Sequence, residues 1–425
     1  ASLYIAIGAH AFAFYVLYNT LVLWLISLGL PKATATSRFG AFVFAAYVTP
    51  MLGGWISTHT GLRPVAIVGA ATAATGYLLT SLSPLAGIVL VGIGCGFVKT
   101  AVTAMVGRLF PEGAPGADKA FAWFYSAINV GAFFSPIAAS YLMSRYGFTT
   151  AFASAAVGDL VVLTTIAVNY RSLDVVESAS SIAAVTGVAV ELPSDSEAES
   201  RLDNAAGAAT TRRRKMVALW IFLVLATLAF WPAYHQNGSG LNIWASENTE
   251  RMTRWGEIQP PMFALVNSLV CVFCGGMIVA AARWLSGAAR RRRDDGATTT
   301  PANAPQTTPL SFSTITGYLT MAASFTCLLV APIAKAHPAW LIIAIILSSI
   351  SEILISSLGL AQVAKLTPRH LQPIYTSVWF VTSGVGGQIA GQLGGFALLT
   401  GFRILVALCL TGAVIAGILR RKLDV

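Results

Sequence analysis

Charge is scarce in this chain. Only 10% of its 425 residues are Asp, Glu, Lys or Arg, against 56% hydrophobic, where a soluble domain carries about 25% charged residues. That excludes a water-soluble globular protein. Repeated apolar runs of about 20 residues point to helices rather than a membrane β-barrel. Cysteine is sparse as well. Cys95, Cys271, Cys274, Cys327 and Cys409 all fall in apolar runs, an odd number with no extracellular disulfide framework. Cys271-Val272-Phe273-Cys274 has CxxC spacing but no second pair, so it reads as packing rather than metal or redox chemistry. There is no His-Glu-x-x-His, no Gly-x-Ser-x-Gly and no pair of intramembrane aspartates, which argues against an enzyme. No cofactor or metal is expected. The chain opens on Ala1-Ser2-Leu3-Tyr4-Ile5, already apolar and without an initiator Met. The native start is therefore expected upstream, and no signal-peptide pattern is visible.

What the chain does contain is a series of long apolar runs. Twelve spans are predicted, near 3–29, 37–57, 63–82, 85–107, 119–142, 149–169, 216–236, 260–284, 311–333, 338–364, 371–398 and 401–419. The expected fold is all-α integral membrane, with 12 transmembrane helices in two six-helix bundles. Residues 1–171 form the first bundle, 172–215 a polar cytoplasmic linker, and 216–425 the second, which carries a basic loop at 286–309. With the N-terminus inside, most of the 27 Lys and Arg fall on the cytoplasmic side. The clusters Arg212-Arg213-Arg214-Lys215 and Arg290-Arg291-Arg292-Arg293 are among them. That is the positive-inside bias. It accounts for the net charge of +10 without nucleic acid; membrane lipid is an expected partner of the protein, with anionic-lipid binding by the basic segments the lesser alternative to a topology signal. Both termini are expected in the cytoplasm.

A few charged or titratable groups interrupt the spans. Gly92-Ile93-Gly94-Cys95-Gly96-Phe97-Val98-Lys99 puts a lysine at bilayer depth, and Glu352 is its counterpart in the second half. Such groups are costly in hydrocarbon, so they normally face a cavity, a partner charge or a ligand. One cation and one anion on opposite halves suit a zwitterion, whose lost hydration the fixed charges replace. Asp159 is a further in-span acid, free to pair with Lys99 or to carry protons. His10 and His235 titrate nearest physiological pH.

Several segments together resemble one family. They are Tyr47-Val48-Thr49-Pro50-Met51-Leu52-Gly53-Gly54-Trp55, the glycine run ending in Lys99, and Phe124-Tyr125-Ser126-Ala127-Ile128-Asn129-Val130-Gly131-Ala132-Phe133. In the second half they are Tyr234-His235-Gln236-Asn237-Gly238-Ser239-Gly240-Leu241-Asn242, Asn267, the run from Ser351 to Leu360, and Trp379-Phe380 with Gly384 and Gly387. In this order they resemble the proton-dependent oligopeptide transporter family, a branch of the major facilitators. The third segment is similar to that family's FYxxINxGAF signature.

The resemblance implies a central cavity for short peptides or peptide-like zwitterions. It implies Lys99 at the peptide carboxylate and Glu352 with Asn267 at the amino group. Asn129 would touch the peptide backbone, and Tyr47, Tyr15 and Trp379 would line the pocket. Each has a plainer alternative: a structural ion pair for Lys99 or Glu352, a cross-helix bond for Asn129, ordinary packing for Tyr47 and Trp379. The family's first-helix ExxER is absent, because Ile7, His10 and Ala11 stand at those positions. Proton coupling is therefore expected through other groups, with His10, His235, Glu352 and Asp159 as candidates. Uncoupled diffusion, export of a modified peptide, antibiotic or siderophore-like compound, and a non-transporting receptor are the alternatives. The expected location is the bacterial inner membrane.

Overall fold

Apolar runs of this length fold as helices because lipid offers their backbone groups no other hydrogen-bond partner. The computed structural model describes residues 2–109, 117–173, 195–254, 256–291, 308–367 and 372–424. The first half comprises α1 (Ser2–Ser27), α2 (Lys32–Thr60), α3 (Leu62–Leu79), α4 (Pro84–Leu109), α5 (Ala117–Tyr146) and α6 (Phe148–Val168).

The second half starts with α7 (Asp195–Leu225), which continues through a π turn (Ala226–Phe230), the short α8 (Trp231–Tyr234), a 3-10 turn (His235–Gly238) and α9 (Gly240–Glu247). The next span joins α10 (Ala264–Leu269) to α11 (Gly275–Arg291) through a π turn at Val270–Cys274. Then come α12 (Leu310–Val330), α13 (Pro338–Glu352), a π turn at Ile353–Ser357 and α14 (Leu358–Leu366). The last elements are α15 (Gln372–Leu393), α16 (Leu398–Ile418) and the short α17 (Arg420–Leu423).

Among the described residues, eleven of the spans are long and apolar enough to cross a bilayer. The remaining one, α15, is punctuated by Gly, Ser, Thr and Gln. Large apolar side chains stand on the outer surface, among them Val168, Phe273 and Ile418, as lipid-facing positions should. The expected linker departs from the sequence reading. Residues 174–194 lie outside the described residues, but from Asp195 the chain is already helical. The Ala-rich stretch Ala205–Ala209 favours a helix, so α7 reaches well back into the range read as linker. Of the basic loop, residues up to Arg291 extend α11, and 292–307 lie outside the described residues.

Lipid tails are as apolar as leucine, so packing inside each half relies on close backbone approach. A Cβ on Gly158 of α6 would meet the Ala9 carbonyl of α1 at 2.8 Å, and one on Gly69 of α3 would meet the Val98 nitrogen of α4 at 2.9 Å. The halves meet along α2 and α15, where Gly40 faces Gly387 and Gly391. Polar contacts cross between the halves at the same end of the molecule. Lys32 pairs with Glu247 at 2.6 Å, Gln392 donates to Ser37 Oγ at 3.3 Å, and Asn242 donates to the Asn19 carbonyl at 2.9 Å. This end is sealed. Toward the opposite end the halves diverge around a vestibule.

Candidate functional site

The vestibule consists of two connected cavities of about 650 and 520 Å³. They share Tyr15, Tyr47, Tyr125, Ile128, Leu360 and Phe380. Lys99 and His10 line the smaller cavity; Glu352, Asn129, Trp379, Tyr234 and Arg283 line the larger. Lys99 therefore comes from the first half and Glu352 from the second, and both face one continuous space. A third, smaller cavity beneath them holds Asn267, Asn129, Tyr15 and Glu352.

The surroundings of the two charges differ. The Lys99 ammonium sits 4.1 Å from the centroid of the Tyr47 ring and 5.1 Å from that of Phe14. Two aromatic faces each hold a cation by about 0.5–2 kcal/mol. Among the described residues no carboxylate lies within ion-pairing distance of Lys99. The structural ion pair weighed for it from sequence, including one with Asp159, is not formed. Glu352 ends α13 just before the π turn, and Asn267 donates to its Oε2 at 2.7 Å and to Ser349 Oγ at 3.0 Å. Cys271, in the π turn of the facing span, brings its thiol to 3.9 Å from the same oxygen. π turns concentrate at functional sites because the extra residue re-aims neighbouring side chains, and here two of them flank one carboxylate.

The remaining predicted residues divide. Tyr15 and Tyr47 stand between the two charges. Asn129 borders the larger and the smallest cavities, with its amide donating to the Tyr125 carbonyl at 2.9 Å, one turn back on its own helix. Trp379 presents only 2% of its surface. It stacks on Phe222 at 5.3 Å and an interplanar angle of 9°, and packs edge-on against Trp231. Its role is thus largely packing, with one edge on the vestibule.

The two histidines part ways. His10 is paired with Asp159, Nδ1 to Oδ1, at 2.8 Å inside the first half. His235 bridges the halves. Its Nδ1 lies 3.1 Å from the Tyr18 hydroxyl of α1, and its Nε2 lies 3.1 Å from both the carbonyl and the hydroxyl of Ser383 on α15. The carbonyl is an obligate acceptor, so Nε2–H donates there and Nδ1 accepts from tyrosine, which suits a neutral imidazole.

His10, Cys95 and Asp159 could offer metal-ligating atoms within 4.8 Å of one another. The His10 Nδ1 and Asp159 Oδ1 atoms are already engaged with each other, which favours a hydrogen-bonded pair.

Sequence reasoning did not single out Phe14, Tyr125, Tyr234, Cys271 or Arg283 as site residues. Tyr125 and Tyr234 sit inside motifs already noted. Cys271 has CxxC spacing without a second pair and reads as packing, Arg283 falls at the end of the predicted span 260–284, where a basic side chain is ordinary, and Phe14 carries no local signal.

Comparison with known proteins agrees with this architecture. A family model described as the POT family matches residues 40–184. The chain is 28% identical over 435 residues to the dipeptide and tripeptide permease A of Escherichia coli K12, covering 90% of this chain and 81% of that one. It is 26% identical to the protein of the same name from Chromobacterium violaceum, with 90% and 82% covered. Among solved structures, a peptide transporter POT in complex with sulfate superposes with a TM-score of 0.80 at 20% identity, covering 100% of this chain and 94% of the other. A POT family transporter in complex with 5-aminolevulinic acid gives 0.79 at 19%, with 100% and 96% covered. The two-bundle architecture is therefore the major facilitator fold.

Proposed function

We propose that this chain, similar to the POT family model over residues 40–184 and to permease relatives over 90% of its length, is a member of that family and a secondary transporter of di- and tripeptides or peptide-like zwitterions. The observation that carries this reading is the shared vestibule, with an uncompensated Lys99 on one half and the Glu352–Asn267 pair on the other. A zwitterion spanning the vestibule meets a cation at its carboxylate and an acid at its amine. Because the two groups belong to different halves, a bound substrate pulls the halves together, which links binding to alternating access. The permease relatives and the neighbour holding 5-aminolevulinic acid, a molecule with an amine and a carboxylate at its two ends, support this substrate class.

The protein sits in a bacterial inner membrane with both termini in the cytoplasm, following the positive-inside distribution. In that orientation the sealed end faces outward and the vestibule opens to the cytoplasm. Protons drive the cycle through groups other than the missing first-helix acids.

The test is competition in proteoliposomes between a dipeptide, its amide and its N-acetyl form. A hydrogen bond to a charged group contributes about 1.5–3 kcal/mol, or roughly 10- to 150-fold in affinity. Amidation should therefore weaken wild-type binding by that factor, and the difference should vanish in Lys99→Gln. Acetylation should behave likewise against Glu352→Gln. If Lys99→Gln still prefers the free acid by the wild-type factor, the assignment is wrong.

A further inference from the structure

The geometry points to the His10–Asp159 pair as the proton-binding site of this transporter, set to take up a proton when the substrate carboxylate reaches Lys99. This rests on the peptide-transport reading above.

The pair lies inside the first half, on α1 and α6. His10 is 2% exposed and Asp159 0%. Only one atom of each is used, Nδ1 against Oδ1 at 2.8 Å. The other two, His10 Nε2 and Asp159 Oδ2, are buried without a partner. His235, by contrast, has both ring nitrogens satisfied. Buried orphan atoms on both members need a reason, and a pair that must gain and lose a proton supplies one. Asp159 with a neutral His10 carries one negative charge. With one more proton the pair is neutral overall.

The neighbours set when each state is favoured. Cys95 lies with the pair, within 4.8 Å of it, and Lys99 follows Cys95 by one turn on α4. Lys99 and His10 line the same cavity. The other titratable groups facing this region among the described residues are Tyr77 on α3, whose hydroxyl meets Cys95 at 3.7 Å, Tyr47 on α2, Tyr125 on α5 and Tyr15 on α1. Among the residues lining that cavity, Lys99 is the cation that shares it with His10. With no substrate, Lys99 as a cation favours the anionic pair. A substrate carboxylate on Lys99 cancels that attraction, and the pair then binds a proton from vestibule water. Substrate and proton therefore strengthen each other's binding, and by linkage the effect is reciprocal.

The first measurement needs no variant. Saturating free dipeptide added to the wild-type protein in weak buffer should cause uptake of about one proton per molecule, whereas the dipeptide amide should cause none. Equal uptake with both would overturn the link through Lys99. In proteoliposomes, Asp159→Asn and His10→Gln should lower the ratio of gradient-driven accumulation to gradient-free counterflow to a small fraction of wild type. If both variants keep the wild-type ratio, the pair is not the proton site. Cys95→Ala should keep it. Loss in Cys95→Ala, together with loss on adding a chelator to wild type, would make the cluster a metal site and overturn the proposal. Absence of dipeptide counterflow in wild type would instead sink the transport reading, and this one with it.

Discussion

Adding one methyl group at Gly391 should push open the sealed end. On α15 a Cβ at this position would lie 2.6 Å from the Thr36 carbonyl and 2.8 Å from the Gly40 Cα of α2. Both contacts are backbone, so no side chain can swing aside; the two helices must separate by several tenths of an ångström. Overpacking of this kind costs about 1–3 kcal/mol. The change also favours the helix itself by about 0.5–1 kcal/mol, but that gain is the same whichever end is sealed. The steric cost applies only where α2 and α15 touch. The equilibrium therefore moves toward the outward-open state by roughly 1–3 kcal/mol, a factor of about 5–150. With a shift of about 2 kcal/mol, an open state at about 1% of the population rises to about a fifth. Spin labels at Ala33 and Phe396, two exposed positions flanking the seam, read this out. Wild type should give one short distance, and Gly391→Ala a second, longer one. If the variant is folded and its distribution matches wild type, the seam does not set the balance.

Two further predictions follow from the contacts between the halves. Tyr18→Phe leaves His235 Nδ1 buried without its partner, so thermal stability should fall by about 1–3 kcal/mol; an unchanged melting temperature would mean water or another group replaces the hydroxyl freely. Lys32→Ala removes a pair whose members are 51% and 40% exposed. Such pairs contribute about 0–1 kcal/mol, so transport should stay within about a few-fold of wild type, and a collapse of activity would show the pair to be a true latch.

How much of this was legible in the sequence depends on the range of the interaction involved. Spans such as 216–236 and 338–364 announce themselves because crossing hydrocarbon demands length and apolarity together. The α15 span, predicted at 371–398, is a weaker case because Gly, Ser, Thr and Gln punctuate its apolar run. Lys99 and Glu352 stood out because charge in a span is rare. Their surroundings did not: the ring of Phe14 over Lys99 and the Cys271 thiol near Glu352 depend on helix rotation, which apolar composition leaves free. The same holds for the three π turns, since nothing in Ala226–Phe230, Val270–Cys274 or Ile353–Ser357 breaks a helix locally. His10 and Asp159 were each visible as oddities, yet they are 149 positions apart, and only the packing of α6 on α1 joins them. Trp379 shows the reverse case, where a family role suggested a pocket residue and stacking on Phe222 takes up most of its surface.

The replacement of the first-helix acids makes sense at the level of the pair that stands in for them. Asp159 with a neutral His10 carries one negative charge inside the first half, and one added proton removes it. A charge buried without a full set of partners costs several kcal/mol in a low-dielectric interior, whereas a neutral hydrogen-bonded pair does not carry that penalty. Closure of the halves should therefore favour the protonated pair over the anionic one. In the family pattern two acids and an arginine stand on the first helix; here a histidine from α1 and one acid from α6 offer a site for a single proton.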